Sequence, residues 1–345
     1  MPVLSILQGT GTVLRDESDR KIQYDKSNLK GYKVMNKGDF IIHLRTFEGG
    51  LECSNHDGIS SPAYRILRPK EIISGAYRDY FRSPHFIKNK LAISVVGIRD
   101  GKNIDMPTFW DIMLTVPSID EQQKIAEFLS DVDELINASE DEITNLEMQK
   151  KAAMKKIFSQ EVRFKKPDGS EFPKWERKTI GECCDILDNM RKPVTKSDRR
   201  PGIYPYYGST NIQDYVDDYI FDEPLVLLAE DAGPFDDYWN KPVAQWAEGK
   251  FWVNNHAHVL RPHHNRKYIF YTLEHKDIRE YIKNPGRGKL NQEDMRSISL
   301  PIPDNEEQRL IADFLSSFDE AINAAKEELT KYRELKKGLL QQMFI

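Results

Sequence analysis

Cysteine is scarce in this chain: Cys53 and the neighbours Cys183 and Cys184 are the only three in 345 residues. They give neither the paired spacing of a zinc site nor a disulfide framework, which fits a reducing cytoplasm. Long apolar runs are missing as well. No stretch approaches the ~20 apolar residues of a membrane span, and MPVLSILQGTG lacks the basic segment of a secretory signal. Positive charge is not in excess. Fifty Lys and Arg against 55 Asp and Glu leave −5, so contact with nucleic acid would have to come from local patches. Catalytic signatures are absent too, with no phosphate-binding G-x-x-x-x-G-K-[ST], no G-x-G-x-x-G after a strand and no G-x-S-x-G elbow. Asn284-Pro285 begins like an N-P-P-Y motif and goes no further, and Pro167-Asp168…Glu171-x-x-Lys174 has nuclease-like letters at the wrong spacing.

What is present is a duplication. Residues 117–158 and 303–344 align without a gap at an offset of 186, with 18 of 42 pairs identical, among them Glu121/Glu307, Gln122/Gln308, Phe128/Phe314, Asp133/Asp319 and Lys150/Lys336. A solenoid would repeat every 20–50 residues, so this period means two copies of a globular domain plus a long helix. The length suits two domains, and 39% hydrophobic residues with 15 Tyr and 16 Phe suit folded ones.

Each copy opens as a helix, with Pro117 and Ser118-x-x-Glu121 in one and Pro303 and Asp304-x-x-Glu307 in the other, both in the pattern of a capping box. Heptads follow. In the first copy the seam holds Leu129, Val132, Ile136, Ile143, Leu146 and Lys150; in the second it holds Leu315, Phe318, Ile322, Leu329, Tyr332 and Lys336. Each helix of about 40 residues would run roughly 60 Å. Both are acidic early and basic late, which favours antiparallel pairing, and the Lys at an equivalent core position would fix the register.

The globular halves repeat as well. Ile66-Leu67-Arg68-Pro69 matches Val259-Leu260-Arg261-Pro262, each followed by an aromatic stretch (Tyr77/Tyr80/Phe81 and Tyr268/Phe270/Tyr271) that reads as core. Gly38–Ile42 aligns with Glu223–Leu227 as a buried strand, and Ile112–Val116 and Ile298–Ile302 read as strands before each helix. Pro2–Ser5 falls on Pro205–Gly208. The second domain therefore has a leader, Phe172-Pro173-Lys174-Trp175 onward, that the first lacks, about 30 residues in all.

Candidate chemistry lies in polar loops. Gln8, Thr10, Arg45, Ser60, Ser61, Lys102 and Asn103 mark them in the first domain. Ser209, Thr210, Asn211, Asn254, Asn255, His256, Arg287, Lys289 and Asn291 mark them in the second. Such side chains form paired hydrogen bonds to base edges, and Arg191-Lys192, Lys196 and Arg199-Arg200 could neutralise phosphates. From composition alone, an ordinary solvated turn is the better reading of any one loop. His256-x-His258 places two imidazoles on one strand face but has no third ligand nearby in sequence, so no metal is assigned. The acidic pairs Glu230-Asp231 and Asp236-Asp237 read as solvated.

The double E-Q-x-x-I-A-x-F-L (Glu121–Leu129 and Glu307–Leu315), the leader Phe172-Pro173-x-Trp175 with Ile180-Gly181-Glu182, Leu300-x-Ile302-Pro303 and the closing Leu335–Phe344 together resemble the specificity (S) subunit of type I restriction-modification enzymes. The resemblance covers nearly the whole chain, and only the short first domain departs from it. It implies an α+β fold with pseudo-two-fold symmetry. Residues 1–116 and 161–302 would be two target-recognition domains separated by antiparallel coiled-coil helices at 117–160 and 303–345. It further implies recognition of a split site in double-stranded DNA and docking of two methyltransferase (M) subunits and of restriction (R) subunits. The chain itself would do no chemistry: S-adenosylmethionine, ATP and Mg would be used by the partners. The alternatives are a non-catalytic duplicated scaffold that binds protein, or an enzyme acting through the His256/His258 face.

Overall fold

The computed structural model describes residues 1–17, 26–42, 50–97, 102–282 and 288–344. It divides into two compact units, Met1–Glu142 with Ala325–Ile345, and Ile143–Ala324. The units cut across the linear domain division, because each takes one end of each long helix, Ile119–Phe158 and Asn305–Met343.

Unit two is built on a four-stranded sheet in the order Cys184–Ile186, Ala257–Pro262, Leu225–Ala229, Ala244–Ala247, all neighbours antiparallel. Its centre, Leu-Val-Leu-Leu-Ala at Leu225–Ala229, is apolar on both faces and fully buried, as a strand covered on two sides must be. One face carries the helix Arg266–Glu274, which buries Tyr268, Ile269, Tyr271 and Leu273. The helix-start residues Ile311 and Leu315 close that core. A second sheet runs Ile212–Val216, Pro201–Tyr207, Lys250–Val253, Phe221–Asp222. The leader strand Glu176–Thr179 pairs with Ser299–Ile302, just before the second helix.

Among the described residues, unit one repeats this plan around a three-stranded sheet. Phe40–Ile42 lies between Leu51–Cys53 and Arg65–Leu67. Phe40 faces Leu67 as Val226 faces Leu260, so the strands correspond at an offset of 186. That corrects the expected alignment of Phe40 with Leu225 by one residue. The offset at the chain start is as expected: Val3 bridges Ile59 in parallel as Tyr206 pairs with Trp252. The expected strand Ile112–Val116 does not form. Ser299–Ile302 is a strand because Glu176–Thr179 pairs with it, and no strand among the described residues pairs with 112–116.

Within each unit the helices run antiparallel. In unit one Asp133 meets Lys336 and Glu140 meets Arg333, so one helix retreats as the other advances. Seam positions Leu129, Val132, Ile143, Leu315, Ile322 and Leu329 are buried; Ile136, Leu146, Phe318 and Tyr332 are half-buried. Each core lysine is held by carboxylates of its own unit. Lys150 Nζ donates to Asp319 (2.8 Å) and Glu274 (2.9 Å), and Lys336 Nζ to Asp133 (2.6 Å) and Asp79 (2.9 Å). Burial alone would lower the Lys150 pKa, but the two carboxylates more than reverse it and hold the ammonium charged.

The glutamines of the repeat lock each helix start to its domain. Gln122 Nε2 donates to the Pro117 carbonyl and Gln308 Nε2 to the Pro303 carbonyl, while their Oε1 atoms accept from Ile73 N–H and Asn265 N–H. Tyr77 and Tyr268 hydroxyls donate to the Thr115 and Pro301 carbonyls, both at 2.6 Å. The expected capping boxes are half right. Ser118 Oγ accepts from Glu121 N–H and Asp304 Oδ1 from Glu306 N–H, but Glu307 turns away and is fully buried under the leader.

Candidate nucleic-acid interface

In unit two the turn at 208–211, the turn at 254–256 and the segment from 288 gather around Glu230 and Asp231, at the end of the central strand. The strand ladders bring them there: Tyr207 lies beside Val253 across the parallel pair, and Ala229 opposite Ala257. Ser209 Oγ donates to the Asp231 carbonyl (2.5 Å), and Gln245 Nε2 donates to the Ser209 carbonyl (2.9 Å). Asn254 accepts from His256 N–H through Oδ1 and donates through Nδ2 to Gln213 Oε1. His256 Nδ1 lies 2.7 Å from Asp231 Oδ1. Ser209 and Asn254 are thus buried and act as braces, while Asn211 and Asn255 are exposed, Thr210 and His256 half so. Asn291 is exposed at the start of the helix Gln292–Arg296.

Beneath this rim lies a charged cluster. Arg191 Nη1 donates to Glu230 (2.5 Å) and to the Ala257 carbonyl (2.8 Å), and Lys289 Nζ reaches Glu230 at 3.2 Å. His258, 1% exposed, has Asp188 Oδ2 at 2.6 Å from Nδ1 and the Leu290 carbonyl at 3.0 Å from Nε2. Burial would raise the Asp188 carboxyl, but His258, the Val259 N–H and Arg191 hold it below the usual carboxylate range. Asp188, Glu230 and His258 offer ligand atoms within 4.8 Å of one another. Arg191 already supplies that cluster's cation, and His256 faces a different carboxylate from His258, so the two imidazoles do not form the metal pair that H-x-H suggests. Two expectations change here: Glu230 is buried and paired rather than solvated, and Arg191 is taken by carboxylates rather than free for phosphate. Lys192 and Arg200 remain exposed, and Arg199 stacks on Tyr206 at 4.2 Å.

Unit one presents the same turn from the hairpin Leu4–Leu7/Gly11–Leu14. Gln8 and Thr10 are exposed at its tip. Gly9 N–H donates to Glu52 Oε1 (2.7 Å), and Glu52 occupies the place of Gln245, since Cys53 faces Phe40 as Trp246 faces Val226. One position thus tethers the turn in both units, by an acceptor in one and a donor in the other. Sequence reading missed this pair because each residue sits inside a strand, some 40 residues along the chain from the turn it tethers. Lys102 and Asn103 are exposed and Ser61 half-buried. Ser60 is a correction: it is fully buried, facing Lys33 in the strand pair Lys33–Met35/Gly58–Ser60, and cannot meet a ligand. Arg45 and Arg287 lie outside the described residues.

A duplicated α+β domain that braces polar turns on the ends of its sheets, with long antiparallel helices, is the architecture of a two-site recognition protein. The model of the type I restriction modification DNA specificity domain matches residues 19–148 and again 173–331, and the chain belongs to that family. It is a DNA-recognition subunit rather than a catalytic one. A Haemophilus influenzae protein described as a type I restriction enzyme specificity subunit is 38% identical over 138 residues, 39% of this chain and 34% of that one. The type I restriction enzyme MjaVIII specificity subunit of Methanocaldococcus jannaschii is 24% identical over 343 residues, 89% of this chain and 78% of its own length. The fold is that of the M. genitalium type I S subunit, at TM-score 0.61 and 16% identity over 91% of this chain and 84% of that one. A second type I chain gives TM-score 0.52 at 18% identity, over 90% and 82%.

Proposed function

We propose that each unit reads one half of a split double-stranded DNA site through its braced turns, and that the long helices dock two M subunits, with R subunits joining for cleavage. The observation that carries this reading is the match of one specificity-domain model to both halves, joined to the equivalent tethering of the turn by Glu52 and Gln245. Two similar readers suit two short half-sites. Exposed Asn211, Asn255 and Asn291 in unit two, and Gln8 and Asn103 in unit one, supply donor and acceptor pairs of the kind that read base edges. Lys192, Arg200 and Lys102 would take phosphates. The net charge of −5 is compatible with binding carried by these patches, with the M subunits adding further contacts. S-adenosylmethionine, ATP and Mg would serve the partner subunits, and the complex would act in the cytoplasm. None of the long helices among the described residues is apolar enough to cross a membrane.

The test is methylation by the chain with its M subunit, mapped base by base on genomic DNA. The expected product is modification at a two-part sequence with a fixed spacer. Methylation without sequence preference, or none at all, would overturn the reading.

A further inference from the structure

Asn291 stands between two residues that are tied to one buried pair. On one side the Leu290 carbonyl accepts from His258 Nε2 (3.0 Å). On the other, Gln292 Nε2 donates to Asp188 Oδ2 (3.0 Å), the oxygen that faces His258 Nδ1 at 2.6 Å. Leu290 N–H donates to the Glu230 carbonyl (2.7 Å), and Lys289 Nζ reaches the Glu230 carboxylate at 3.2 Å. Leu290 is fully buried, whereas Asn291 is exposed, its Nδ2 lying 3.4 Å from Asp294 Oδ2.

These bonds fix the state of His258. A carbonyl oxygen has no proton to give, so Nε2 must carry one. The Asp188 carboxylate accepts from Val259 N–H through Oδ1 (2.9 Å) and from Gln292 through Oδ2, so it is ionised and Nδ1 must carry a proton too. Either neutral tautomer would set a nitrogen lone pair against an oxygen lone pair around a fully buried ring. The charge balance agrees. Among the described residues the charged groups around His258 are Asp188, Glu230 at 3.8 Å, Arg191 on both of those carboxylates, and Lys289 at the rim. A neutral imidazole would leave Arg191 to face two buried carboxylates; an imidazolium makes two cations against two anions.

We propose that His258 is a positioning residue for base reading: held as an imidazolium by Asp188, it pins the Leu290 peptide and so sets where Asn291 presents its amide. The role in reading rests on the function proposed above; the protonation state does not. Asp188 completes the bracket, since the same carboxylate that charges His258 also holds Gln292. An imidazolium donates in two directions, whereas a neutral ring could keep one of its two ties at most.

The test has two arms. Proton–nitrogen correlation spectra of the native chain labelled at histidine should show both His258 nitrogens protonated at neutral pH, the signal being assigned through its backbone. One bare nitrogen would overturn the proposal. In the complex with M, Asn291→Ala should relax base preference at one position of the half-site about tenfold. His258→Gln should relax the same position, and the double variant should go no further than Asn291→Ala alone. A merely structural loss would instead lower methylation at every sequence and add to Asn291→Ala. His258 is buried, so if H258Q does not fold, Gln292→Ala cuts the pair's other tie from an exposed position and should relax that position about threefold. Relaxation at another position, or effects that add, would overturn the positioning role. A native complex without sequence preference would overturn the recognition reading and this role with it, while the nitrogens' protonation would stand.

Discussion

Lys150 and Lys336 are the residues on which the helix register turns. Each places a nearly buried ammonium between a carboxylate of the other long helix and one of its own unit's globular part. Removing the cation leaves two carboxylates facing each other in a poorly solvated place. Lys150→Met should therefore destabilise unit two by about 3 kcal/mol, read from urea denaturation, and adding Asp319→Asn should recover part of the loss. A single-variant loss below ~0.5 kcal/mol would show that the network contributes little.

Asp79 tests the counterpart in unit one through pH. Burial would raise its carboxyl, but Arg78 and Lys336 lower it below the ordinary value. A depressed carboxylate contributes stability above its unfolded pKa of about 3.9 and loses it as pH falls through the lower, folded value. The melting-temperature gap between the native chain and Asp79→Asn should be constant from pH 6 to 8 and close in the acid range, below about pH 4. A gap that persists in acid would assign the effect to packing instead.

At the scale of the element, the helices were legible and the sheet was not fully so. Heptads, a period of 186 and the acid-to-base gradient are local patterns, and they place both helices within two residues of their observed ends. The strand at Phe40–Ile42 was found but slipped by one against its copy, because a strand buried on both faces has no polar alternation to fix register. The arginines next to the matching residues Leu67 and Leu260 do not correct the slip. Arg68 pairs with Asp39 but Arg261 with Glu223, which is not the aligned position. The turn tethers were invisible for a related reason: Gln245 meets Ser209, and Glu52 meets Gly9, only after the sheet forms. Gln245→Ala removes about 1 kcal/mol of hydrogen bonding from the turn that presents Asn211. In the complex with M, that should slow methylation at the cognate site roughly fivefold while leaving the melting curve nearly unchanged. Equal rates would mean that the turn is held by Asp231 alone.

At the scale of the molecule, the duplication makes function divisible. The braced turns of unit two all lie between the leader strand and the second helix, and the helix contacts of Lys150, Gln308 and Tyr268 use residues that have counterparts in the repeat. Exchanging residues 179–300 with those of a relative that keeps the equivalents of Asn265, Tyr268 and Glu274, which hold the helices, should therefore leave the helix sequences and unit one unchanged. The prediction is asymmetric: the hybrid's methylated sequence should change in one half of the site, while the other half and the spacer stay as they were. The spacer is the critical reading. On the proposed reading the spacer would follow the helix sequences, which the exchange keeps, and half-site identity would follow exposed side chains such as Asn211, Asn255 and Asn291, which it replaces. Mapping modified bases in cells carrying the native or hybrid gene decides the matter. A hybrid that alters both halves together would mean that the units do not read DNA independently, and one that alters neither would move recognition out of 179–300 altogether.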